Sequence, residues 1–107
     1  MSELPLKYQR LKDTHGAFID AVEQLGMAVK GAGPLDEKTA LLIQIAAAAA
    51  TRSEGSVHSH TRRALTAGVK REEIVHAVIL LTSIIGFPQV AAALTWIDDI
   101  FEAQQGE

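Results

Sequence analysis

Apolar residues recur along most of the chain at the three- and four-residue spacing that is typical of amphipathic α-helices. Gly31, Gly33 and Pro34 follow the first such stretch, and residues of these types commonly end helices. The pattern therefore predicts a first helix from Tyr8 to Lys30. Its apolar stripe consists of six residues, namely Phe18, Ala21, Val22, Leu25, Ala28 and Val29.

Two further helices are predicted in the middle of the chain. Asp36 is a suitable N-cap for the second helix, which runs to Ala50 and is apolar on nearly every side. Helices of that kind are normally buried, so we expect this one to lie in the core. Ser56 is predicted to cap the third helix, which continues to Ala67 and is closed by Gly68.

The last part of the chain predicts a fourth and a fifth helix. The fourth covers Arg71–Ile85 and stops at Gly86, and the fifth opens with Pro88 in its first turn. No strand, internal repeat or long linker is predicted, so the fold class is all-α and residues 1–107 form a single domain. The second and fourth helices are too apolar to be covered within so short a chain, which predicts a homo-oligomer with the fourth helix at its interface.

Composition and charge exclude several classes of protein. With 48% hydrophobic and 21% charged residues, the chain has an ordinary globular composition rather than a disordered one. Its formal charge of −3 argues against a nucleic-acid partner, which usually requires a basic face. No secretory signal and no apolar stretch long enough to cross a bilayer is visible, so we predict a cytoplasmic protein without a membrane partner.

The absence of cysteine excludes whole groups of chemistry. Disulfides, thiolate zinc sites, iron–sulfur clusters and cysteine nucleophiles all require this residue. No helix carries a His-x-x-x-His or Glu-x-x-His signature, and no glycine-rich phosphate loop is present. We therefore predict neither a metal nor a cofactor.

Residues 53–68 are the stretch richest in candidate chemistry, because titratable side chains cluster there beside the predicted core. A helix N-terminus stabilises anions and histidine titrates near neutral pH, so the stretch is suited to binding or protonating a carboxylate. A structural interpretation is also open: His58 and His60 lie roughly 200° apart around a helix, so at most one can point into a given pocket. Likewise, His76 and Trp96 are predicted to be buried core residues. The candidates are Glu54, Ser56, His58, His60, Arg62 and Arg63.

The order of several segments resembles the carboxymuconolactone decarboxylase family, which includes the AhpD-like alkylhydroperoxidases. The resemblance covers Leu35 to Phe101 and implies an AhpD-like helical bundle of about five helices that assembles as trimers or hexamers. The segments that carry it are the start at Asp36–Thr39 with its alanine-rich helix, the stretch His60–Ile74, and Gly86–Pro88 before the last helix.

The peroxidase branch of that family uses two cysteines three residues apart, with a histidine four residues after the second. Aligning that histidine on His60 places Ser53 and Ser56 at the cysteine positions. The branch's other histidine and its glutamate fall on Gly55 and Leu41. Because the peroxidatic step needs a thiolate that passes through sulfenic acid, serine cannot replace it. The peroxidase and disulfide reductase activities of that branch are therefore not expected.

The decarboxylase branch does not require cysteine, and its histidine followed by two arginines is similar to the segment at His60, Arg62 and Arg63. The resemblance implies cofactor-free decarboxylation of a small carboxylated lactone or keto acid. In that role His60 is the general acid and an arginine holds a carboxylate. Glu54 would orient or tune His60.

The resemblance and the residues together predict one location for a site. It lies between the alanine-rich helix and the N-terminal half of the third helix, where His58 joins the titratable cluster and the Ser56 hydroxyl adds a donor. The alternative is a non-catalytic oligomer of the same fold that binds a small acidic molecule or serves as a scaffold. An enzyme should show His60 lining a cavity with an arginine in reach, whereas a scaffold should show it bonded to backbone.

Hydroperoxide turnover coupled to a thiol reductant should stay at background, because no residue of this chain can form the sulfenic acid intermediate. A coupled peroxidase assay with an organic hydroperoxide and a dithiol measures this rate. A rate above background that disappears in Ser53→Ala or Ser56→Ala would contradict the prediction.

Overall fold

The structure of the chain is a computed structural model that describes residues 5–105, and all regular secondary structure in that range is helical. The all-α prediction is confirmed. None of these helices is long and apolar enough to cross a membrane. The helices are α1 (Leu6–Thr14), α2 (Gly16–Lys30), α3 (Glu37–Ala50), α4 (Glu54–Thr66), α5 (Arg71–Ile79), α6 (Thr82–Ile85) and α7 (Phe87–Gln105).

The chain packs as two compact units, which divide between Pro34 and Leu35. The first unit contains α1 and α2, which pack against each other as a helical hairpin. The Tyr8 hydroxyl donates a hydrogen bond of 2.7 Å to the Glu23 carboxylate, and Lys12 Nζ lies 3.3 Å from the same oxygen. The second unit contains the remaining helices and the candidate site residues. That residues 1–107 form one domain stays a prediction.

The predicted first helix, Tyr8–Lys30, is wrong as a single element, because the chain breaks at His15. There the backbone leaves the helical region, with φ −137° and ψ 55°. The Thr14 hydroxyl donates to the Arg10 carbonyl at 2.8 Å and lies 2.9 Å from His15 Nδ1. Threonine side chains compete with the helical backbone in this way, and the glycine at position 16 adds no preference for continuing the helix. The apolar stripe that drove the prediction starts only after the break.

The alanine-rich helix α3 packs against α4, α5 and α7 and is the centre of the second unit. Its predicted cap is confirmed, since the Thr39 N–H donates to Asp36 Oδ1 at 2.8 Å. One face of α3 is buried through Leu41, Ile45 and two alanines, but Ile43 on the opposite face is half exposed. The core residues around α3 include Val57, Ala64, Ile74, Val78, Val90, Ala93 and Ile97.

Helix α4 begins three residues earlier than predicted, so Ser56 is not its N-cap. The helix starts at Glu54 with Ser53 as its N-cap residue, because a tight turn after α3 reverses the chain at once. On its inward face, Val57 and Thr61 are fully buried. The Thr61 hydroxyl has no hydrogen-bond partner among the described residues, so it adds a desolvation cost to the core.

The predicted fourth helix, Arg71–Ile85, is also interrupted, and it forms α5 and the short α6. The Thr82 hydroxyl donates to the Ile79 carbonyl at 2.8 Å, and the Leu81 N–H bonds to the Val78 carbonyl only three residues back. These contacts tighten the backbone and end α5. Pro88 lies in the first turn of α7, as predicted. The Arg71 guanidinium lies 4.9 Å from the centre of the Phe101 ring and links α5 to α7.

The Asp36 cap makes folding stability depend on pH. The pKa of its carboxyl lies below the ordinary value of 3.8, because the Thr39 backbone N–H and then its side chain hydrogen-bond to the charged form. A carboxyl whose pKa falls on folding stabilises the folded state above its unfolded-state pKa. That contribution is lost as the pH falls through the folded-state pKa. We expect Asp36→Ala to lower the melting temperature at neutral pH, by a margin that shrinks below about pH 3.8.

The matched control is Asp36→Asn, because asparagine caps helices about as well as aspartate but does not titrate. Thermal melts followed by circular dichroism between neutral and acidic pH measure the three proteins. A deficit for Asp36→Ala that stays constant across this range would contradict the assignment.

Candidate functional site

The packing of α4 against α7 brings together three titratable side chains. His58 Nε2 lies 3.0 Å from Asp99 Oδ2, and Glu54 completes a group whose ligand atoms all lie within 4.8 Å of one another. His58 and Glu54 were candidates from the sequence, but Asp99 was missed. It lies 41 residues beyond His58, so only the helix packing places the two together. To predict from the sequence that Asp99 pairs with His58, one must know which faces of α4 and α7 contact each other.

The His58 group is open to solvent on one side, since His58 is half-buried while Glu54 and Asp99 are exposed. When the imidazole is neutral, its Nε2–H can donate to the carboxylate, and when it is protonated the two form an ion pair. One imidazole and two carboxylates are also donors that divalent metals accept. The sequence prediction of no metal rested on the absence of cysteine and on local spacings, neither of which can detect a group assembled from two helices.

His60 has a different environment from His58. Its Nδ1 lies 2.9 Å from the backbone carbonyl oxygen of Ser56, and the residue is half-buried. A carbonyl only accepts hydrogen bonds, so Nδ1 is the donor and Nε2 is left available. Among the described residues, Glu54 makes no hydrogen bond to His60, so no direct contact supports the prediction that Glu54 orients or tunes His60.

The predicted substrate-binding residues lie along the same helix. Ser56 is half-buried in the first turn, and its carbonyl already accepts the His60 hydrogen bond. Arg62 is half-buried and Arg63 is exposed. Neither arginine has an ion-pair partner among residues 5–105, so both guanidinium groups are available to an anion.

A cleft of about 430 Å³ lies between the end of α3 and the start of α7. Its lining includes Arg52, Gln89 and Trp96. Trp96 was predicted to be a core residue, but it is half-buried and lines this cleft. Sequence periodicity missed the cleft because Trp96 lies on the margin of the buried face of α7.

A second cleft, also of about 430 Å³, lies between α3 and α5 and is mostly apolar. His76 and Glu73 contribute its ionisable groups. The prediction that His76 is a buried core residue is wrong, because α5 leaves this face uncovered and the residue is exposed. His60 lines neither of these two clefts.

Comparison with known proteins agrees with the helical architecture. The model of the carboxymuconolactone decarboxylase family matches residues 16–99. The crystal structure of an apo carboxymuconolactone decarboxylase family protein from Legionella pneumophila is similar to this chain with a TM-score of 0.77. The alignment covers 90% of this chain and 86% of that one at 22% sequence identity, a level that shows the fold alone. No curated protein matches the sequence.

Proposed function

The chain belongs to the carboxymuconolactone decarboxylase family, and we propose that it is a cofactor-free decarboxylase acting on a small carboxylated lactone or keto acid. His60 is the general acid of this proposal. The observation that supports it is that His60 Nε2 is left free by the Nδ1 contact, on a helix that also carries two arginines without ion-pair partners among the described residues. Histidines oriented in this way present Nε2 to a reactant as a proton donor or acceptor.

The proposed reaction needs three functions from the protein. Arg62 or Arg63 anchors a carboxylate of the substrate, since a guanidinium binds this group through two parallel hydrogen bonds. The bond between the departing carboxylate and its carbon breaks, carbon dioxide leaves, and the electron pair moves into the adjacent carbonyl or lactone. Protonated His60 then delivers its Nε2 proton to the resulting carbanion, and a proton from water restores the imidazolium.

The other two catalytic candidates have a supporting role in this proposal. His58 and Glu54 form a solvent-facing charged group with Asp99 on the first two turns of the helix that carries His60. Such a group offers hydrogen-bond donors and acceptors to water. A thiol step has no place in the mechanism, because serines occupy positions 53 and 56 and the chain contains no cysteine.

A non-catalytic oligomer that binds a small acidic molecule, or a scaffold, is the second candidate. The structural criterion derived from the sequence favours it, because the imidazole is bonded to backbone and lines neither of the two clefts described above. A histidine used only to stabilise a helix would make this contact too. The two candidates differ in whether removing the side chain abolishes chemistry or only weakens the fold.

We further propose that the chain assembles as a homo-oligomer, a trimer or a hexamer, through the surface of α5, α6 and the start of α7. Four large apolar residues on this surface are exposed in the single chain, with Leu80 at 60%, Ile84 at 77%, Phe87 at 65% and Ile79 at 48%. Contiguous apolar exposure of this kind is typical of subunit interfaces.

Replacing His60 with alanine should reduce carbon dioxide release by about 10²- to 10⁴-fold, the usual contribution of a general acid. A panel of carboxylated lactones and β-keto acids, followed by carbon dioxide evolution, provides the assay. His15→Ala is the matched control, because His15 is exposed in the first unit. Equal rates in His60→Ala and wild type would exclude the proposed role, and an unfolded His60→Ala would support the structural alternative.

Placing a charge on the proposed interface should dissociate the oligomer, since an ion buried between subunits loses its hydration. We expect Ile84→Glu to sediment at a lower mass than wild type while keeping its helical circular dichroism. Ser83→Glu, at the neighbouring exposed position, is the control for added charge. Wild-type protein that sediments as a monodisperse monomer at micromolar concentration would rule out the assembly.

A further inference from the structure

Arg52 is the one non-glycine residue with positive φ among residues 5–105, with φ at 58°. It follows the last turn of α3, where its N–H donates to the Ala49 carbonyl at 3.1 Å and the Ser53 N–H donates to the Ala48 carbonyl at 3.0 Å. This pair of hydrogen bonds is the Schellman termination, which strongly favours glycine at the left-handed position. A bulky side chain there is conformationally strained.

The end of α4 offers an internal comparison, because it uses the same termination with glycine. Gly68 has φ 92°, and its N–H donates to the Leu65 carbonyl while the next N–H donates to the Ala64 carbonyl. The backbone turn is therefore made at α4 without a side chain. At α3 the same position carries an arginine despite the strain, and its guanidinium makes contacts that a glycine could not make.

The Arg52 guanidinium is held in place but not neutralised. With the Gln89 amide in the orientation that suits its neighbours, the amide oxygen accepts from Arg52 Nε at 3.2 Å and from Nη2 at 2.7 Å. No carboxylate among the described residues pairs with Arg52. Because the Gln89 contact leaves Nη1 unused, an oriented cation with spare donors faces the cleft between α3 and α7.

The rest of that cleft is suited to a flat apolar group. Its remaining lining consists of Trp96, Pro88 and two alanines, Ala49 and Ala92, whose small side chains leave room beside the indole. We propose that this cleft binds a small planar organic acid, aromatic or conjugated, with its carboxylate on Arg52 and its planar part against Trp96. Guanidinium–carboxylate pairing and aromatic stacking provide the recognition.

This inference is separate from the His60 proposal, because it places a carboxylate at Arg52 rather than at Arg62 or Arg63. It requires no turnover. A failed decarboxylation screen would therefore leave it intact, and a failed binding experiment would leave the His60 mechanism to its own assay.

Trp96 is the only tryptophan in the sequence, so its fluorescence reports directly on the cleft. We expect benzoate, used as the probe, to cause a saturable change in tryptophan emission. Benzamide is the neutral isostere and should bind about tenfold more weakly or worse, because it lacks the charge that strengthens hydrogen bonds to the guanidinium. No saturable change with benzoate would overturn the proposal.

Arg52→Gly is the decisive variant, since it removes the guanidinium and supplies the residue that this backbone conformation favours. We expect it to melt no lower than wild type and to bind benzoate at least about tenfold more weakly. Arg10→Gln, which removes an exposed charge from the first unit, should bind as wild type does. Undiminished binding in Arg52→Gly would overturn the proposal.

Gln89→Ala provides a second measurement that does not touch the strained residue. Without the amide oxygen, the guanidinium loses its orientation, and benzoate binding should weaken while the melting temperature changes little.

If Arg52→Gly fails to fold, Arg52→Asn replaces it, because asparagine also tolerates positive φ. Loss of benzoate binding in Arg52→Asn would support the proposal that the carboxylate binds Arg52 in this cleft, and retained binding would refute it.

Discussion

The close packing of α4 and α7 against the alanine face of α3 is the constraint on which the second unit depends. Small side chains let helices approach closely, and the contact buries Val57, Ile45 and Ile97 completely. Because of this packing, His58 on α4 contacts Asp99 on α7, whereas His60 is bonded to the Ser56 carbonyl of its own helix. The cleft at Arg52 also results from it, since the start of α7 meets the end of α3 there.

The absence of cysteine limits the chemistry that this chain can perform. Ser53 and Ser56, which the resemblance aligns with the cysteines of the peroxidase branch, lie at the start of α4, where serine is compatible with a helix beginning. His60 lies one turn later in the same helix. Any chemistry at this end of α4 must therefore rely on proton transfer and charge rather than on sulfur.

The second unit has two surfaces of different character, the apolar surface of α5 and α6 and the charged start of α4. A chain of this size cannot cover every apolar face by itself. The breaks at Leu80 and at Gly86 keep the exposed residues on short, reoriented segments instead of one long helix. Interruption and exposure thus occur together in this segment, and the interruptions coincide with Thr82 and Gly86.

The sequence by itself determined the helical class, the family and the absence of thiol chemistry, because periodicity, capping residues and composition are local properties. It located the Asp36 cap correctly. It did not predict the break at His15 or the start of α4 at Glu54, since both depend on competing backbone hydrogen bonds. Only tertiary packing brought His58 next to Asp99 and left His76 exposed, because contacts between helices that are far apart in the sequence produce no periodic pattern in it.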